Sequence, residues 1–511
     1  MPHRQRPSWR RLALVGLAVA TVYAATSGKL LLQPSPHFHF TDLANSFLHG
    51  RVDTDTPRRH GHSRPQPGDP PGYLEAIRRA TDGGKNGWND WASYRVLVLK
   101  DGQEVRGVFP YLHETTPRKQ EFWTVDGKLM VIDVNRDLKV GCDPSHPTAR
   151  CDRVEYKVSF PPFPAVVMMP VVAVLGYHTN DVILTLLFGA LSAMLLLWWL
   201  ARLRREGLLH HSPGDQLWLV AMFAFGTVAY YCAIRGAVWF TALTMGVTLH
   251  FAYLLAAQGA RRPMLAGLLF GLGVATRTPL LFAGVFFPLE ALFHNGRWLG
   301  GDGRDGAMAA ARKILLFALP AAAIGVLLAW FNYARWQNPL EFGHFYLLEG
   351  TRATTRDHGL FNFYFLNHNL SAAFTNLPRP SAAAPYLQIT RHGLGILACT
   401  PALFALFGSP TRHPTDEAGP ASLAEVRRRS LVRNLAITVF CVAAPALVYQ
   451  NDGWQQFGYR FALDFWPALM GVFALRVGHL SRRVKALILL AILVQTFGAV
   501  TFGRMEWFYY D

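Results

Sequence analysis

The chain has 511 residues, 51% of them hydrophobic and 13% aromatic but only 16% charged, against roughly 25% charged residues in soluble domains. That balance excludes an ordinary soluble domain and points to a polytopic membrane protein. The formal net charge of +17 sits in short clusters between apolar runs, as in cytoplasmic loops, and no basic stripe or stacking motif accompanies it, so nucleic acid is not an expected partner.

The first apolar run, "LALVGLAVATVYAATSGKLLL" from Leu12, follows "RQRPSWRR", and that basic flank places the N-terminus in the cytoplasm. "VYA" resembles a signal-peptide cleavage site, but the many later runs favour an uncleaved anchor. The stretch "PHFHFTDLANSFLHGRVD" at 36–53 follows, amphipathic and rich in His and Asp. Two histidines at i, i+2 share a face of a strand rather than of a helix, so His37 and His39 do not make a helical metal pair. Residues 54–72, with His60 and His62, are rich in Pro, Gly and charge and read as a linker.

Alternating stretches then predict a small β-rich insert over 88–158, with "KDG" and "VDG" as turns. Cys142 and Cys151 bracket "CDPSHPTARC" inside it; on an extracytoplasmic face they would close a disulfide, and free thiols are the alternative. Cys232, Cys399 and Cys441 lie in apolar runs and read as packing residues. The segment "YKVSFPPFPAVVMMP" carries Pro161, Pro162, Pro164 and Pro170. Those prolines predict a broken segment at the outer interface, or a plain re-entrant helix, rather than a span.

Further apolar runs lie near 180–201, 215–234, 237–258, 263–276, 278–294, 314–333, 392–408, 434–450, 461–478 and 485–503. With the first they predict about eleven spans at roughly 20 residues each. Threaded from a cytoplasmic start, they put "ARLRREG", "GARRP", "NGRWLGGDGRDGAMAAARK", "AEVRRRSLVRN" and "GHLSRRVK" all inside. The expected organisation is 1–32 as N-terminus and first helix, 33–178 as an outer loop with the insert, 179–333 as a helical bundle, 334–390 as a second outer loop, and 391–511 as C-terminal helices. The expected fold class is therefore mainly α, a polytopic membrane helical bundle with a large extracytoplasmic first loop carrying a small β-rich insert.

The order of these features resembles the C-type (GT-C) membrane glycosyltransferases, such as protein mannosyltransferases that use dolichyl-phosphate-mannose and aminoarabinose transferases of lipid A. The residues that carry the resemblance are "HFTDLANSFLHGRVD", the Pro segment, "LAGLLFGLGVATRTPLLF", "ARWQNPLEFGHFY" and "GWQQFGYRFALDFWPAL". The resemblance implies an inverting transfer of a sugar from a polyprenyl-phosphate donor, a membrane lipid, to a glycan, lipid or protein acceptor. The site would face the periplasm or exterior of a bacterial inner membrane. A transporter or flippase of a lipid-linked substrate is the alternative, although no internal repeat supports it.

Asp42 matches the family's first-loop acid and is the expected base, with Asp53 second; an N-cap role for Asp42 is the structural alternative. The family's second neighbouring acid is Leu43 here. Arg51, Arg277 and Arg460 are expected phosphate ligands, with Asp452 or Asp464 as ion-pair partners of Arg460. Tyr156, Trp454 and Tyr459 are expected to contact substrate. The resemblance also admits a divalent ion, Mg2+ or Mn2+, held partly by Asp42 and the donor phosphate.

Overall fold

The computed structural model describes residues 8–54, 68–81, 91–112, 114–293, 298–301, 303–347, 353–408 and 422–511. The linker with His60 and His62 lies outside the described residues. In chain order the elements are α1 (Trp9–Ser27), α2 (His39–Leu48), α3 (Tyr73–Thr81), β1 (Trp91–Val98), β2 (Glu104–Val108), β3 (Glu121–Thr124), β4 (Leu129–Val131), β5 (Asp152–Val158), α4 (Phe163–Leu175), α5 (Asp181–Arg205), α6 (Pro213–Gly226), α7 (Ala229–Ala233), α8 (Val238–Ala257), α9 (Pro263–Val274), α10 (Phe286–Leu292), α11 (Gly303–Trp336), α12 (Ala353–His358), α13 (Leu366–Leu370), β6 (Arg379–Pro380), β7 (Leu387–Thr390), α14 (Ile396–Cys399), α15 (Leu423–Leu447), α16 (Trp466–Arg476), α17 (Arg482–Thr501) and β8 (Tyr509–Tyr510).

Among the described residues, six helices are long and apolar enough to cross a membrane: Trp9–Leu32, Asp181–Arg205, Val238–Ala260, Arg304–Trp336, Leu423–Leu447 and Arg482–Thr501. The other apolar runs do not form continuous helices of that length. The run at 215–234 divides at Thr227, whose backbone is extended between α6 and α7. Arg277, also extended, and the proline after Thr278 part the runs at 263–276 and 278–294. The run at 392–408 yields the short α14 and a 3-10 turn that starts at Pro401. At 461–478 a 3-10 turn, Arg460–Asp464, leads into an 11-residue α16. In each case a proline or an extended residue interrupts the helical hydrogen bonding that the apolar composition would otherwise support.

The chain forms two compact units. The first comprises 1–32, 181–324 and 363–511; its described residues are mainly helical, with the short sheet β6-β7-β8. Its α5 and α8 are joined by hydroxyl pairs, Thr185 to Thr241 at 2.6 Å and Ser192 to Thr248 at 2.7 Å, spaced about two turns apart on both helices. Small polar residues of this kind hold helices together where apolar surface has no water to escape. Gly267 and Gly271 on α9 allow close approach of α11: a Cβ on Gly267 would lie 2.0 Å from the Phe317 carbonyl oxygen, and one on Gly271 would lie 2.7 Å from Ile324.

The second unit comprises 33–180 and 325–362 and contains the insert. Its antiparallel sheet runs β4-β3-β2-β1-β5, with Arg95 opposite Gly107 and Val154. Period-two alternation divides the side chains between two faces. Ala92, Tyr94, Val96 and Val108 pack on Trp336, Tyr346 and Leu347, while Leu97, Val105 and Phe122 pack with Phe109, Ile132 and Leu138. Trp336 stacks on Tyr346 with ring centroids 4.8 Å apart, and Arg335 donates to the Val158 carbonyl at the end of β5. The motif "ARWQNPLEFGHFY" thus clasps the sheet. Cys142 and Cys151 are disulfide-bonded in the loop before β5.

Of the two expected forms of the Pro-rich segment, the broken one is not seen: the segment is a continuous helix. Pro162 is the N-cap of α4 and Pro164 occupies its first turn, positions that need no amide donor. α4 is therefore a regular 13-residue helix despite Pro170, about 20 Å long and too short to span a roughly 30 Å core. It packs along α2 and leaves Val166, Val171, Val174 and Leu175 exposed.

Candidate functional site

In the second unit, Asp42 lies within the first turn of α2, whose N-cap is Phe38, so an N-cap role does not describe it. Its carboxylate is 2% exposed. Oδ1 accepts a hydrogen bond from the Tyr177 hydroxyl at 2.6 Å and Oδ2 one from Trp91 Nε1 at 3.0 Å. The Phe38 ring meets both donors edge-on, at 5.4 Å from Trp91 and 5.6 Å from Tyr177. His39 is fully buried and stacks on Trp91 at 3.4 Å between centroids, while His49 pairs with the Asn45 carbonyl at 2.8 Å. Two of the sequence candidates meet here: Arg51 Nε bonds Asp53 Oδ1 at 3.0 Å, both side chains being more than a third exposed. Tyr156 is half-buried on β5, opposite Ser93, and its carbonyl accepts from the Thr54 amide at 3.0 Å. Among the described residues Asp42 belongs to no group of three or more metal-type ligands.

In the first unit, Arg277 grips Asp464 with two prongs, Nε to Oδ1 at 3.1 Å and Nη2 to Oδ2 at 2.6 Å. Gly246 on α8 makes room for the arginine stem, since a Cβ there would lie 2.9 Å from Arg277 Cγ. The pairing expected for Arg460 is therefore redistributed: Asp464 serves Arg277, and Asp452 serves two histidines. Arg460 is buried beside the rings of Trp239, Phe240 and Phe461, at 5.7, 5.4 and 5.9 Å, a setting that favours a guanidinium through the ring quadrupoles. Tyr459 is 1% exposed and its hydroxyl has no hydrogen-bond partner among the described residues. Trp454 is 46% exposed.

The first unit also holds a polar cavity of about 610 Å³ lined by His368, Asn376, Arg379, His392, Asp452 and Asp511, among others. Asp452 is 3% exposed; its Oδ2 lies 2.5 Å from His392 Nδ1 and 3.0 Å from His368 Nε2. The two imidazoles stand edge to face, 5.0 Å apart. Burial opposes the charge on Asp452, yet the hydrogen bond and charge of His392, the Trp454 amide and the charge of His368 together hold the carboxyl below its usual range. That bond raises His392 in turn, against the effect of burial.

Three carboxamides position this cluster. Gln456 Nε2 donates to the carbonyls of His392 and Asp452, each at 2.8 Å, and its Oε1 accepts the Arg460 amide at 2.8 Å. Asn376 Nδ2 donates to the Gly393 carbonyl at 3.1 Å, and Asn369 fixes α13 to the end of α15 through the carbonyls of Leu447 and Tyr449. Gly393 has φ +82°, and a Cβ there would meet Gln456 Cγ at 2.7 Å. The sequence reading singled out Asp452 but neither histidine. The three positions are separated by 24 and 60 residues, and no local spacing links them.

No protein-family model matches the chain, and no curated protein matches it. Among solved structures, the apo form of the Archaeoglobus fulgidus oligosaccharyltransferase matches with a TM-score of 0.40 and 12% identity, covering 97% of this chain and 56% of that one. This chain thus spans little more than half the length of that protein. At so low a score the likeness decides neither the fold nor the chemistry, and both rest on the residues described above.

Proposed function

We propose that this protein is a membrane glycosyltransferase that moves a sugar from a polyprenyl-phosphate donor to an acceptor at the extracytoplasmic face of a bacterial inner membrane, with Asp42 as the base. The observation that carries this reading is the oriented Asp42 carboxylate, on the short helix that follows the first apolar helix and in a unit built around an inserted sheet. Hydrogen bonds from Trp91 and Tyr177 fix its direction, which suits a group that must take a proton from an acceptor hydroxyl. Because the carboxylate is 2% exposed, an acceptor reaches it by displacing one of those donors. A polyprenyl donor keeps its tail in the bilayer, and the six apolar helices are consistent with such a substrate.

The test is transfer of labelled sugar in reconstituted vesicles. Asp42→Asn, which keeps the shape of the side chain, is expected to lower the rate by about 10²–10⁴-fold. Unimpaired transfer would reduce Asp42 to a brace between α2, Trp91 and Tyr177. Movement of the lipid between leaflets without transfer would favour a flippase instead.

A further inference from the structure

We infer that His368, His392 and Asp452 form a binding site for a divalent transition-metal ion of the zinc class, with its free coordination positions opening onto the 610 Å³ cavity. One ligand atom from each residue lies within 4.8 Å of the other two. Tetrahedral bonds of about 2.0–2.1 Å would set ligand atoms roughly 3.3 Å apart. The His368 nitrogen, 3.0 Å from Asp452 Oδ2, is already within a few tenths of an ångström of that spacing. The His392 nitrogen, at 2.5 Å, must withdraw by less than an ångström, and its side chain is 33% exposed and free to do so. Two neutral imidazoles and one carboxylate favour Zn2+, Co2+, Fe2+ or Mn2+ over Mg2+ or Ca2+, which prefer all-oxygen sites.

The rest of the site has the features of a metal centre with room for a further ligand. Three protein ligands leave at least one position for water or an incoming oxygen, the pattern of open rather than structural sites. Arg379 lines the same cavity and supplies a fork for an anionic oxygen that reaches the ion. The ligands are held from behind: the backbones of His392 and Asp452 are both tied to Gln456, which is fully buried. This inference is independent of the role of Asp42, because it is read from metal uptake and not from transfer.

The full chain, purified in detergent and stripped with chelator, is titrated with Co2+ and followed by its visible d–d absorption, then competed with Zn2+. The expected result is saturation at one equivalent, with the bands lost on adding Zn2+. His368→Ala and His392→Ala are each expected to weaken uptake more than about 100-fold, beyond the 10–100-fold typical of residues that only support a ligand. His368 is 59% exposed, so its truncation is expected to leave the fold intact, which circular dichroism checks. His146→Ala, altered on an exposed loop, is expected to bind like the parent. Absence of d–d bands in the parent, or equal uptake by both cluster histidine variants, would overturn the assignment.

Discussion

Arg277 and Asp464 are joined by two parallel bonds of 3.1 and 2.6 Å, with side chains only 14% and 4% exposed. Breaking such a buried pair from one side strands a charge, at about 3–5 kcal/mol. Asp464→Ala should therefore lower the thermal midpoint sharply, whereas Arg277→Met combined with Asp464→Leu should recover most of the loss. A double variant as unstable as the single would show that other groups depend on the pair. The comparison is made by thermal unfolding in detergent.

Tyr177→Phe and Trp91→Phe each delete one hydrogen bond to the Asp42 carboxylate while keeping an aromatic ring in place. Hydrogen bonds to charged groups contribute about 1.5–3 kcal/mol. Each variant should lose stability in that range, and Asp42→Asn should weaken the effect of both, as a double-mutant cycle would measure.

The Cys142–Cys151 bridge closes a short loop with a sequence separation of 9, for which the loop-entropy relation gives about 2–3 kcal/mol. Cys142→Ser with Cys151→Ser should destabilise the insert by that order. In the parent chain under denaturing conditions, alkylation of these two cysteines should require prior reduction.

Tyr111 donates to Asp357 Oδ1 at 2.6 Å, and Arg118 lies within 3.3 Å of the same oxygen. The Tyr111 hydrogen bond, assisted by Arg118, holds the Asp357 carboxyl below its usual range. A depressed carboxyl contributes stability that is complete above its unfolded pKa of about 4 and disappears as pH falls through the folded value. The protection of α12 amides, taken relative to their intrinsic exchange rates, should therefore fall as the pH is taken below about 4, and Asp357→Asn should remove that dependence. Equal pH profiles for parent and variant would discard the contact as an anchor.

Long-range order in this chain followed from composition wherever apolar runs were continuous, as in α5, α8, α11, α15 and α17. It failed at Thr227, Arg277 and Pro401, where one residue with extended backbone or without an amide donor ends a helix that average hydropathy would prolong. The insert was legible because its strands alternate with period two and turn at "KDG" and "VDG". The site was less so. Asp42 was visible from its place after the first apolar helix, but its partners Trp91 and Tyr177 lie 49 and 135 residues away. The association of His368 and His392 with Asp452 depends on carboxamides reaching across three loops, for which local spacing carries no signal.

The clasp on the inserted sheet bears on how the protein can be dissected. A fragment cut at Trp91 and Val158 would keep every strand yet lose Trp336, Tyr346 and Leu347, baring the face made by Ala92, Tyr94, Val96 and Val108. Such a fragment would present a flat apolar sheet to water and self-associate. A soluble version of this unit must therefore carry the stretch through Leu347, joined to the sheet by an engineered connection in place of the intervening helices.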